Sequence, residues 1–521
     1  MPRYTDDSRE RVRDAVDFVE LVGARTELKP AGPRRMTGLC PFHDERTPSF
    51  GIDPVEKLYH CFGCGAGGDV FRFAMETEGL DFAGALEALA ERAGVELERD
   101  TEDPRDAERR ARRERLLALL ERTAAFYVRV LWESAEAEIL KAIELTEFAC
   151  SLPQIALGEV MEVSRGVECR LERHPLGVVA SICPFNFPSM VPHWSLANAI
   201  ALGNAFVLKP SELVPLSAGR IAELLAEAGL PDGVFNVVHG GREASEAVLD
   251  HPGIEAVSFV GSTAVAKEVY RRGSAALKRV LALGGAKNHV IVMPDADPEM
   301  AAGGVLAAMS GCTGQRCMAA SVMVAVSATD HIVDRLAAQA RTMIVGRDVG
   351  PVITPQAKER IERAIAEAEQ AGAKVLVDGR NAVVPGREGG FWVGPTVIDQ
   401  VRPEMRIAQE EVFGPVLAIV RTRDLDEALA VENASPYGNA ASIFTESGGL
   451  ARRTMERASA GMIGVNVGVP VPREPFPFGG WNDSKFGVGD ITGRGSIEFW
   501  TKAKKITTKW NREAGTNWMS K

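Results

Sequence analysis

The sequence predicts an α/β protein in which a large parallel-sheet region follows a small ribbon of short strands. Two observations carry this prediction. Two closely spaced pairs of cysteine and histidine lie within the first hundred positions, and from Glu138 onward hydrophobic strands alternate with alanine-rich helices. Such alternation is typical of a parallel sheet covered by helices. The two regions therefore carry different chemistry, and neither pattern explains the other.

The composition predicts a globular cytoplasmic protein with no membrane partner. Hydrophobic residues make up 45% of the 521 positions and charged residues 25%, and the length suits three or four units of about 150 residues. No run reaches the ~18 apolar residues of a membrane span, and the first residues lack the apolar core of a signal peptide. Eight cysteines are too few for a disulfide scaffold. The net charge of −11 argues against nucleic-acid binding by the chain as a whole.

The first module contains two short ligand pairs. Two residues separate Cys40 from His43, and two separate Cys61 from Cys64. Four nitrogen and sulfur ligands suit tetrahedral zinc and leave no coordination position for a substrate. The alternative is a small core of buried cysteines, and His60 competes with His43 as the histidine ligand, although the two-residue spacing favours His43. Short strands are predicted between the pairs, at 49–52 and 57–60.

Two runs of this module, Gly38–Phe50 and Tyr59–Val70, carry a family resemblance. They are similar to the N-terminal zinc-binding domain of bacterial DNA primase, and the similarity continues through residues 116–134. In that family the ribbon helps to read single-stranded template DNA. The resemblance implies weak binding of single-stranded DNA, with the alternative that the arginines only form a solvated rim. The candidate contacts are Arg34, Arg35, Arg46 and Lys57, with Phe50 and Tyr59 as stacking faces.

The catalytic part of a primase does not follow. Residues 101–137 have mixed charge and predict a helical connector. After Ala137 the sequence contains no acidic metal-binding cluster of the primase type. Synthesis of a primer is therefore not expected of this chain.

The second region begins with a series of predicted strands and helices. Strands are expected at Leu176–Ile182, Ala205–Lys209, Gly233–Val238 and Ala256–Val260, with a helix at Leu216–Ala228. The last strand runs into Gly261 and Ser262, which open a helix. Such a turn offers backbone N–H groups and a helix N-terminus to a pyrophosphate. The turn alone is a weak signal, because the usual G-x-G-x-x-G pattern is absent.

Five motifs occur in a fixed order in this region. They are Pro184-Phe-Asn186-Phe-Pro188, Leu208-Lys209-Pro-Ser-Glu212, Phe259-Val-Gly-Ser262-Thr263, Gly314-Gln-Arg-Cys317 and Glu410-Glu411-Val-Phe413-Gly-Pro415. Together they resemble the aldehyde dehydrogenase superfamily over residues 138–511. The resemblance implies a Rossmann-type NAD domain, an α/β catalytic domain and oxidation of an aldehyde with NAD.

The resemblance also assigns roles. Cys317 is implied as the nucleophile, and Asn186 with the Cys317 backbone N–H as the stabiliser of the oxyanion. The implied cofactor contacts are Lys209 and Glu212 at the adenosine ribose, Ser262 at the pyrophosphate, Glu411 and Phe413 at the nicotinamide ribose, and Phe185. Cys312 is expected to be a small buried residue rather than a second nucleophile.

One departure from the family pattern predicts the acyl acceptor. Hydrolytic members carry a glutamate just before the Gly-Gly pair, where this chain has Leu281-Ala282-Leu283 before Gly284 and Gly285. Without a general base, attack by water is slow, and a thiol cosubstrate such as coenzyme A is favoured.

Four further runs are similar to methylmalonate-semialdehyde dehydrogenases. They are Gly285-Ala-Lys-Asn-His289, Gly314-Gln-Arg-Cys-Met-Ala319, Thr146-Glu-Phe-Ala-Cys150 and Phe476-Pro-Phe-Gly-Gly-Trp481. This resemblance implies a CoA-acylating enzyme that converts methylmalonate or malonate semialdehyde to propionyl-CoA or acetyl-CoA. In the family two arginines hold the substrate carboxylate. Arg316 matches one, and Lys141 stands at the other, where it keeps the charge and loses bidentate geometry.

The predicted domains follow from these resemblances. They are a zinc-binding domain at 1–100, a connector at 101–137, a truncated NAD-binding domain at 138–283 with an oligomerisation hairpin at 157–175, a catalytic domain at 284–480, and a C-terminal segment at 481–521 with an oligomerisation strand. The segment that normally precedes the NAD domain is replaced, so an uncovered apolar face is expected. A homodimer or homotetramer is expected if the chain folds.

Two alternatives stay open at this point. The chain could be a zinc-dependent DNA-binding module that carries an inactive dehydrogenase fragment, or a fusion artefact with neither activity. Long single-molecule reads of genomic DNA across codons 130–145 separate the artefact from a genuine fusion.

Overall fold

The computed structural model of the protein describes residues 4, 6–31, 34–98, 136–164 and 166–509. The chain divides into two compact units, Met1–Ala111 and Arg112–Lys521. The connector predicted for residues 101–137 lies almost wholly outside the described residues. Within the described part of the chain, no helix has the length and apolar character needed to cross a membrane.

The first unit is built on a five-stranded antiparallel sheet whose strands follow one another in chain order. The strands are β1 (Lys29–Pro30), β2 (Met36–Gly38), β3 (Phe50–Asp53), β4 (Leu58–Cys61) and β5 (Gly67–Asp69). The helices are Asp6–Ala15, Phe18–Gly23, Val70–Glu78 and Phe82–Ala93. The two strands predicted between the ligand pairs are confirmed as β3 and β4, each displaced by one residue.

Aromatic rings fill the core of the first unit. Phe73 packs edge-on against Phe18 and Tyr59, with ring centroids 6.0 and 5.4 Å apart. Phe50 stacks on Tyr59 with a centroid separation of 5.5 Å. All four rings are buried, so a unit of about a hundred residues gains a compact core from a few large side chains.

The second unit begins with a six-stranded sheet in the order β10-β9-β8-β11-β12-β22. Its strands are β8 (Val178–Ile182), β9 (Ala205–Lys209), β10 (Phe235–Val237), β11 (Ala256–Val260), β12 (Arg279–Leu283) and β22 (Lys485–Phe486). All neighbours are parallel except β22. The chain leaves β8 toward β9 and β10 on one side, then returns to add β11 and β12 on the other. The strand order therefore reverses at β8, which creates a crevice at its carboxyl end.

The four strands predicted here are confirmed, with small differences at their ends. The first starts at Val178 rather than Leu176, because Gly177 adopts a positive φ of 128° that breaks the extended run. The predicted helix is confirmed at Pro215–Glu227. In the described part of the second unit the α-helices are Glu136–Ile155, Met190–Ala201, Pro215–Glu227, Arg242–Asp250, Thr263–Ala275, Pro298–Ser310, Asp330–Thr342, Pro355–Gln370, Arg406–Gln409, Leu425–Asn433, Gly448–Arg457 and Gly495–Trp500.

A seven-stranded sheet, in the order β15-β16-β17-β14-β13-β19-β20, forms the other large layer. Its strands are β13 (Asn288–Val292), β14 (Ala320–Val326), β15 (Lys374–Val377), β16 (Thr396–Asp399), β17 (Val416–Thr422), β19 (Ala440–Phe444) and β20 (Met462–Val465). Alternate residues of β14 enter opposite cores: Val322 and Val324 face one, Met323 and Ala325 the other. Helices thus cover both faces, as expected for a nearly all-parallel sheet.

Three antiparallel strands form a separate sheet in the order β23-β7-β6. They are β6 (Glu159–Ser164), β7 (Val167–Pro175) and β23 (Thr501–Lys509), and a short pair joins β18 (Tyr437–Gly438) to β21 (Trp481–Asn482). The hairpin predicted at 157–175 corresponds to β6 and β7. Every residue of β6 is exposed, including Val160 at 63% and Met161 at 66%, so this edge strand presents apolar side chains to solvent.

Candidate active site and metal centre

The four predicted zinc ligands come together in the first unit. The ligand atoms of Cys40, His43, Cys61 and Cys64 all lie within 4.8 Å of one another. The Sγ atoms of Cys40 and Cys64 are 3.8 Å apart, and Cys61 Sγ lies 3.9 Å from His43 Nδ1. A zinc tetrahedron with bonds of about 2.3 Å has edges of about 3.8 Å. The donor set therefore fits zinc, and His60 lies outside it, with its ring 4.6 Å from that of Phe62.

Backbone N–H groups hold these sulfur atoms in place. The N–H groups of Gly63 and Cys64 donate to Cys61 Sγ over 3.3 and 3.4 Å, and the N–H of Phe42 donates to Cys40 Sγ over 3.4 Å. A Cβ atom on Gly63 would lie 2.9 Å from Nε2 of His43. Only glycine fits at this turn, which explains its place between the two cysteines.

The structure corrects three of the predicted DNA contacts. Phe50 and Tyr59 are buried in the aromatic core, so the prediction that they stack on bases is wrong. The Lys57 ammonium donates to the backbone carbonyls of Arg13, Asp14 and Val16 over 2.6 to 2.8 Å, which ties it to the end of a helix rather than leaving it for phosphate. The carbonyls at a helix C-terminus attract a cation for the same reason that phosphate does.

The remaining candidates are exposed, and one aromatic residue joins them. Arg34, Arg35 and Arg46 are exposed. The guanidinium of Arg35 lies 4.9 Å from the ring centroid of Phe62, which is 67% exposed. Phe62 was missed by the sequence prediction, although its place between Cys61 and Gly63, at the tip of a turn, was a signal of exposure.

Two cavities meet at Cys317 in the second unit. One has a volume of about 460 Å³ and the other about 420 Å³, and both are lined by Cys317 and Asn186. The first also contains Lys141 and Arg316. The second contains the predicted cofactor residues Phe185, Ser262, Glu411 and Phe413. The thiol thus lies between a mainly apolar cavity and a second cleft, an arrangement in which two reactants can approach one sulfur atom.

Two buried amides hold the Cys317 backbone. The side-chain amides of Asn288 and Asn439 donate to the Cys317 carbonyl over 2.7 and 2.9 Å, and both residues are buried. Asn288 donates a second hydrogen bond to the Ala319 carbonyl over 2.9 Å. The sequence prediction missed both roles, since a clamp of this kind depends on pairs that are up to 122 residues apart.

Asn186 lies beside the thiol. Its side-chain amide donates to the Gln315 carbonyl over 2.9 Å. An amide nitrogen carries two donor hydrogens, so one of them can hold the side chain while the other serves a ligand. The role of Asn186 as an oxyanion donor stays a prediction.

The Cys317 thiol is protonated in these surroundings. Burial raises the pKa of Cys317 to about 12, the Glu411 carboxylate adds to the increase, and Arg316 opposes it. Burial also raises the pKa of Glu411 to about 7. Its Oε1 accepts a hydrogen bond from the Ala286 N–H over 3.1 Å. Lowering the pKa of the thiol therefore requires a positive charge or a base brought in with the reactants.

The second cleft suits a dinucleotide. It opens at the carboxyl end of β8, where the strand order reverses, and the loops after β8 and β11 supply Phe185 and Ser262. Ser262 precedes the helix Thr263–Ala275 and makes no side-chain cap, so the N–H groups at this helix end are free for an anion. The rings of Phe185 and Phe413 meet edge to face with centroids 6.0 Å apart. These features fit NAD.

Lys209 and Glu212 are not among the described residues that line this cleft, although Leu213, next to Glu212, lines it. The Lys209 ammonium pairs with the Glu212 carboxylate over 3.1 Å at the carboxyl end of β9, the strand next to β8. Their predicted contact with the adenosine ribose would thus lie one strand away from the pyrophosphate.

The predicted substrate residues differ in their surroundings. Both Lys141 and Arg316 line the 460 Å³ cavity. The Lys141 ammonium is paired with the carboxylates of Glu474 and Glu144 over 2.9 and 3.0 Å, so its charge is already compensated. The Arg316 guanidinium lies against Gly311, where any side chain would collide with it.

Cys312 differs from its prediction. It is exposed and lines the same cavity as Cys317, so the expectation of a small buried residue is wrong. Its backbone adopts a φ of 48° in the short turn Gly311–Gly314, which turns the residue away from the core.

Each carboxylate in the described lining of the two cavities accepts at least one hydrogen bond. In the described lining they are Glu138, Glu411 and Glu474. Glu138 accepts hydrogen bonds from the backbone N–H groups of Ser189 and Met190 over 2.5 and 2.9 Å. Leu281, Ala282 and Leu283 are buried in β12, so the position before the Gly-Gly pair offers no base.

Comparison with known proteins finds a matching family for each of the two units. Residues 109–506 match the sequence profile of the aldehyde dehydrogenase family, and residues 4–105 that of the CHC2 zinc finger. Malonate-semialdehyde dehydrogenase 2 of Geobacillus thermodenitrificans is 47% identical over 388 residues, which cover 73% of this chain and 80% of the relative.

Solved structures agree. A crystal structure of a putative methylmalonate-semialdehyde dehydrogenase from Sinorhizobium meliloti, complexed with NAD, has a TM-score of 0.75 and 41% identity, and covers 77% of this chain and 86% of that one. A methylmalonate-semialdehyde dehydrogenase from Oceanimonas doudoroffii has a TM-score of 0.73 and 46% identity, with 77% and 85% covered. The chain therefore belongs to the aldehyde dehydrogenase family, and its first hundred residues are a zinc ribbon of the CHC2 type.

Proposed function

We propose that this protein oxidises malonate or methylmalonate semialdehyde with NAD and transfers the acyl group to coenzyme A. The observation that carries the proposal is Cys317 between two cavities, with the buried Leu281, Ala282 and Leu283 instead of a carboxylate before the Gly-Gly pair. The relatives named for malonate and methylmalonate semialdehyde support the substrate class.

In the first half-reaction Cys317 acts as the nucleophile. The thiol loses its proton to solvent, the sulfur forms a bond to the aldehyde carbon, and the carbonyl oxygen becomes an oxyanion next to Asn186 and the Cys317 N–H. NAD, when bound in the second cleft, supplies the hydride acceptor. Loss of hydride from the tetrahedral carbon leaves a thioester on Cys317. The hydrogen bonds from Asn288 and Asn439 to the Cys317 carbonyl hold the Cys317 sulfur and N–H in fixed positions relative to each other during both steps.

In the second half-reaction a thiol releases the acyl group. The CoA thiolate attacks the thioester carbon, the Cys317–carbon bond breaks, and Cys317 leaves as a thiolate. A thiolate needs no general base at the moment of attack, whereas water does. The β-carboxylate is lost as CO2, with a proton from solvent taken up at the carbon that held it, which yields acetyl-CoA or propionyl-CoA.

The test is NADH formation by the full chain with and without CoA. With CoA we expect sustained turnover of malonate semialdehyde. Without CoA we expect one burst of about one equivalent of NADH per active site, because the thioester stalls. The Cys317→Ala protein should give no burst. Many turnovers in the absence of any thiol would contradict the proposal and indicate hydrolysis.

A second function is supported by the surface of the first unit. We propose that the zinc ribbon binds one structural zinc and has weak, salt-sensitive affinity for single-stranded DNA. The exposed Arg34, Arg35 and Arg46 supply charge, and Phe62 supplies a ring on which a base can stack. Fluorescence anisotropy of a labelled oligonucleotide at 50 and 200 mM salt tests this. Equal binding at both salt concentrations would contradict it.

The third sheet supports self-association. We propose a homodimer or homotetramer in which β6 is covered by a second copy, since an exposed edge strand with apolar side chains is a pairing site. Light scattering on the full chain tests this proposal. A monomer at high micromolar concentration would contradict it.

A further inference from the structure

A buried ion pair lies in the cavity proposed for the substrate. Glu474, in the segment between β20 and β21, accepts a hydrogen bond from the Lys141 ammonium over 2.9 Å. The two residues are 333 positions apart. Their side chains are only 6% and 16% exposed, and both line the 460 Å³ cavity that reaches Cys317. Water therefore screens this pair weakly, and its charges act on whatever enters the cavity.

The two cations of the cavity are not equivalent. Lys141 is held by two carboxylates, those of Glu474 and Glu144. Among the described residues, Arg316 forms no ion pair with any carboxylate, and its guanidinium rests against the backbone of Gly311. A substrate carboxylate thus meets one cation that is available and one that is already neutralised.

The rest of the cavity offers no further cation among the described residues. One more carboxylate, that of Glu138, lines it and accepts two backbone N–H hydrogen bonds, and the remaining walls are mainly apolar. They include Leu145, Phe187, Met190, Trp194, Val469 and Val471. A carboxylate that approaches Lys141 must displace Glu474 or lie next to it, and like charges in a poorly hydrated site repel strongly.

We propose that Glu474 is a specificity-determining residue that occupies Lys141 and disfavours a substrate carboxylate at that end of the cavity. Recognition of the carboxylate then depends on Arg316 alone, and uncharged aldehydes of similar size become competitive substrates. This inference rests on the proposed dehydrogenase function and adds the chemical selectivity of its substrate cavity.

The test compares a charged and an uncharged aldehyde. In the full chain with NAD and CoA, Glu474→Gln keeps the shape of the side chain and removes its charge. The ratio of kcat/KM for malonate semialdehyde to kcat/KM for propanal should rise about fivefold to tenfold, mainly through KM, because Lys141 is released for the substrate. Propanal itself should change less than about twofold. An unchanged or lower ratio would overturn the proposal.

Glu144→Gln is the matched control. Glu144 pairs with the same ammonium, yet it is more exposed, lies outside the described lining of the cavity, and is 3.8 Å from Arg473. Its replacement should raise the ratio by less than about twofold. A larger effect from Glu144→Gln than from Glu474→Gln would refute the special role of Glu474. Glu474→Ala should change the ratio in the same direction as Glu474→Gln, which separates charge from side-chain shape and keeps a test if one variant does not fold.

Failure of the proposed dehydrogenase function gives a different experimental result from failure of this inference. If the full chain oxidises neither aldehyde, the dehydrogenase proposal fails, and the selectivity is measured by binding. Calorimetric titration with 3-hydroxypropionate, a carboxylate that Cys317 cannot oxidise through a thioester, should show at least about fivefold tighter binding to Glu474→Gln than to the unaltered chain. Equal or weaker binding, including none to either protein, would overturn the inference.

Discussion

The two units place cysteine sulfur in opposite surroundings. In the ribbon, Cys61 receives hydrogen bonds from backbone N–H groups and lies in contact distance of three further ligand atoms. In the dehydrogenase unit Asn288 and Asn439 donate to the Cys317 backbone carbonyl, and Cys317 lines two cavities. A sulfur grouped with three other ligand atoms suits a metal ion, and a sulfur that two reactants can approach suits a nucleophile. The difference lies in the neighbours, since the residue is the same.

The largest expected effect concerns the metal. A unit of about a hundred residues with one small core depends on its zinc for stability, whereas the second unit has several large cores of its own. Cys61→Ser should reduce bound zinc from about one per chain to a small fraction and unfold the first unit. The melting transition of the second unit should stay within a few degrees. Elemental analysis and calorimetry measure both. Full zinc content with unchanged melting would refute the ligand assignment.

The clamp on Cys317 provides the next test. Asn439→Ala removes one of the two donors to the Cys317 carbonyl, so the sulfur is held less well in its position relative to the oxyanion donor. We expect kcat to fall about 10-fold to 100-fold. Asn433→Ala is the control, because Asn433 also donates to a backbone carbonyl, that of Arg457 over 3.0 Å, but is not among the described residues that line either cavity. Equal losses in both variants would show a general effect on stability instead.

The raised pKa of the thiol predicts a steep pH dependence. Only the thiolate reacts with iodoacetamide, and burial raises the pKa of Cys317 to about 12. Between pH 7 and 9, below this pKa, the thiolate fraction rises about tenfold per pH unit. In the cofactor-free protein the alkylation rate of Cys317, followed by mass spectrometry, should rise accordingly. A rate that levels off near pH 7 would mean that the thiol ionises far below the expected pKa.

The smallest effect concerns DNA. Phe62→Ala removes one exposed ring beside Arg35 and should weaken binding of a single-stranded oligonucleotide about fivefold, the lower range for loss of one base-stacking ring. Val55→Ala, at another exposed apolar position on the same unit, should change the affinity less than about twofold. An equal loss of DNA affinity in Phe62→Ala and Val55→Ala would show that the Phe62 ring makes no specific stacking contact.

Local features of both units could be predicted from the sequence alone. The two-residue spacing within each ligand pair, the runs that form β8, β9 and β11, and the turn that places Ser262 before a helix all depend on neighbours in the chain. The periodicity of apolar residues and the spacing between motif residues depend only on such neighbours and can be read from the sequence. The absence of a base before Gly284 is likewise a statement about chain order, and the structure keeps those residues in a buried strand.

Contacts between distant parts of the chain were decided by the tertiary structure. Whether Phe50 and Tyr59 face solvent depends on the helices packed over the sheet, and Lys57 finds its partners at the end of a helix more than 40 residues earlier. Asn439 reaches Cys317 across 122 positions, and Glu474 reaches Lys141 across 333. A sequence without aligned relatives specifies which groups exist and what their neighbours along the chain are. Burial and charge compensation arise only when the folded chain brings remote segments together, because both depend on distance in space.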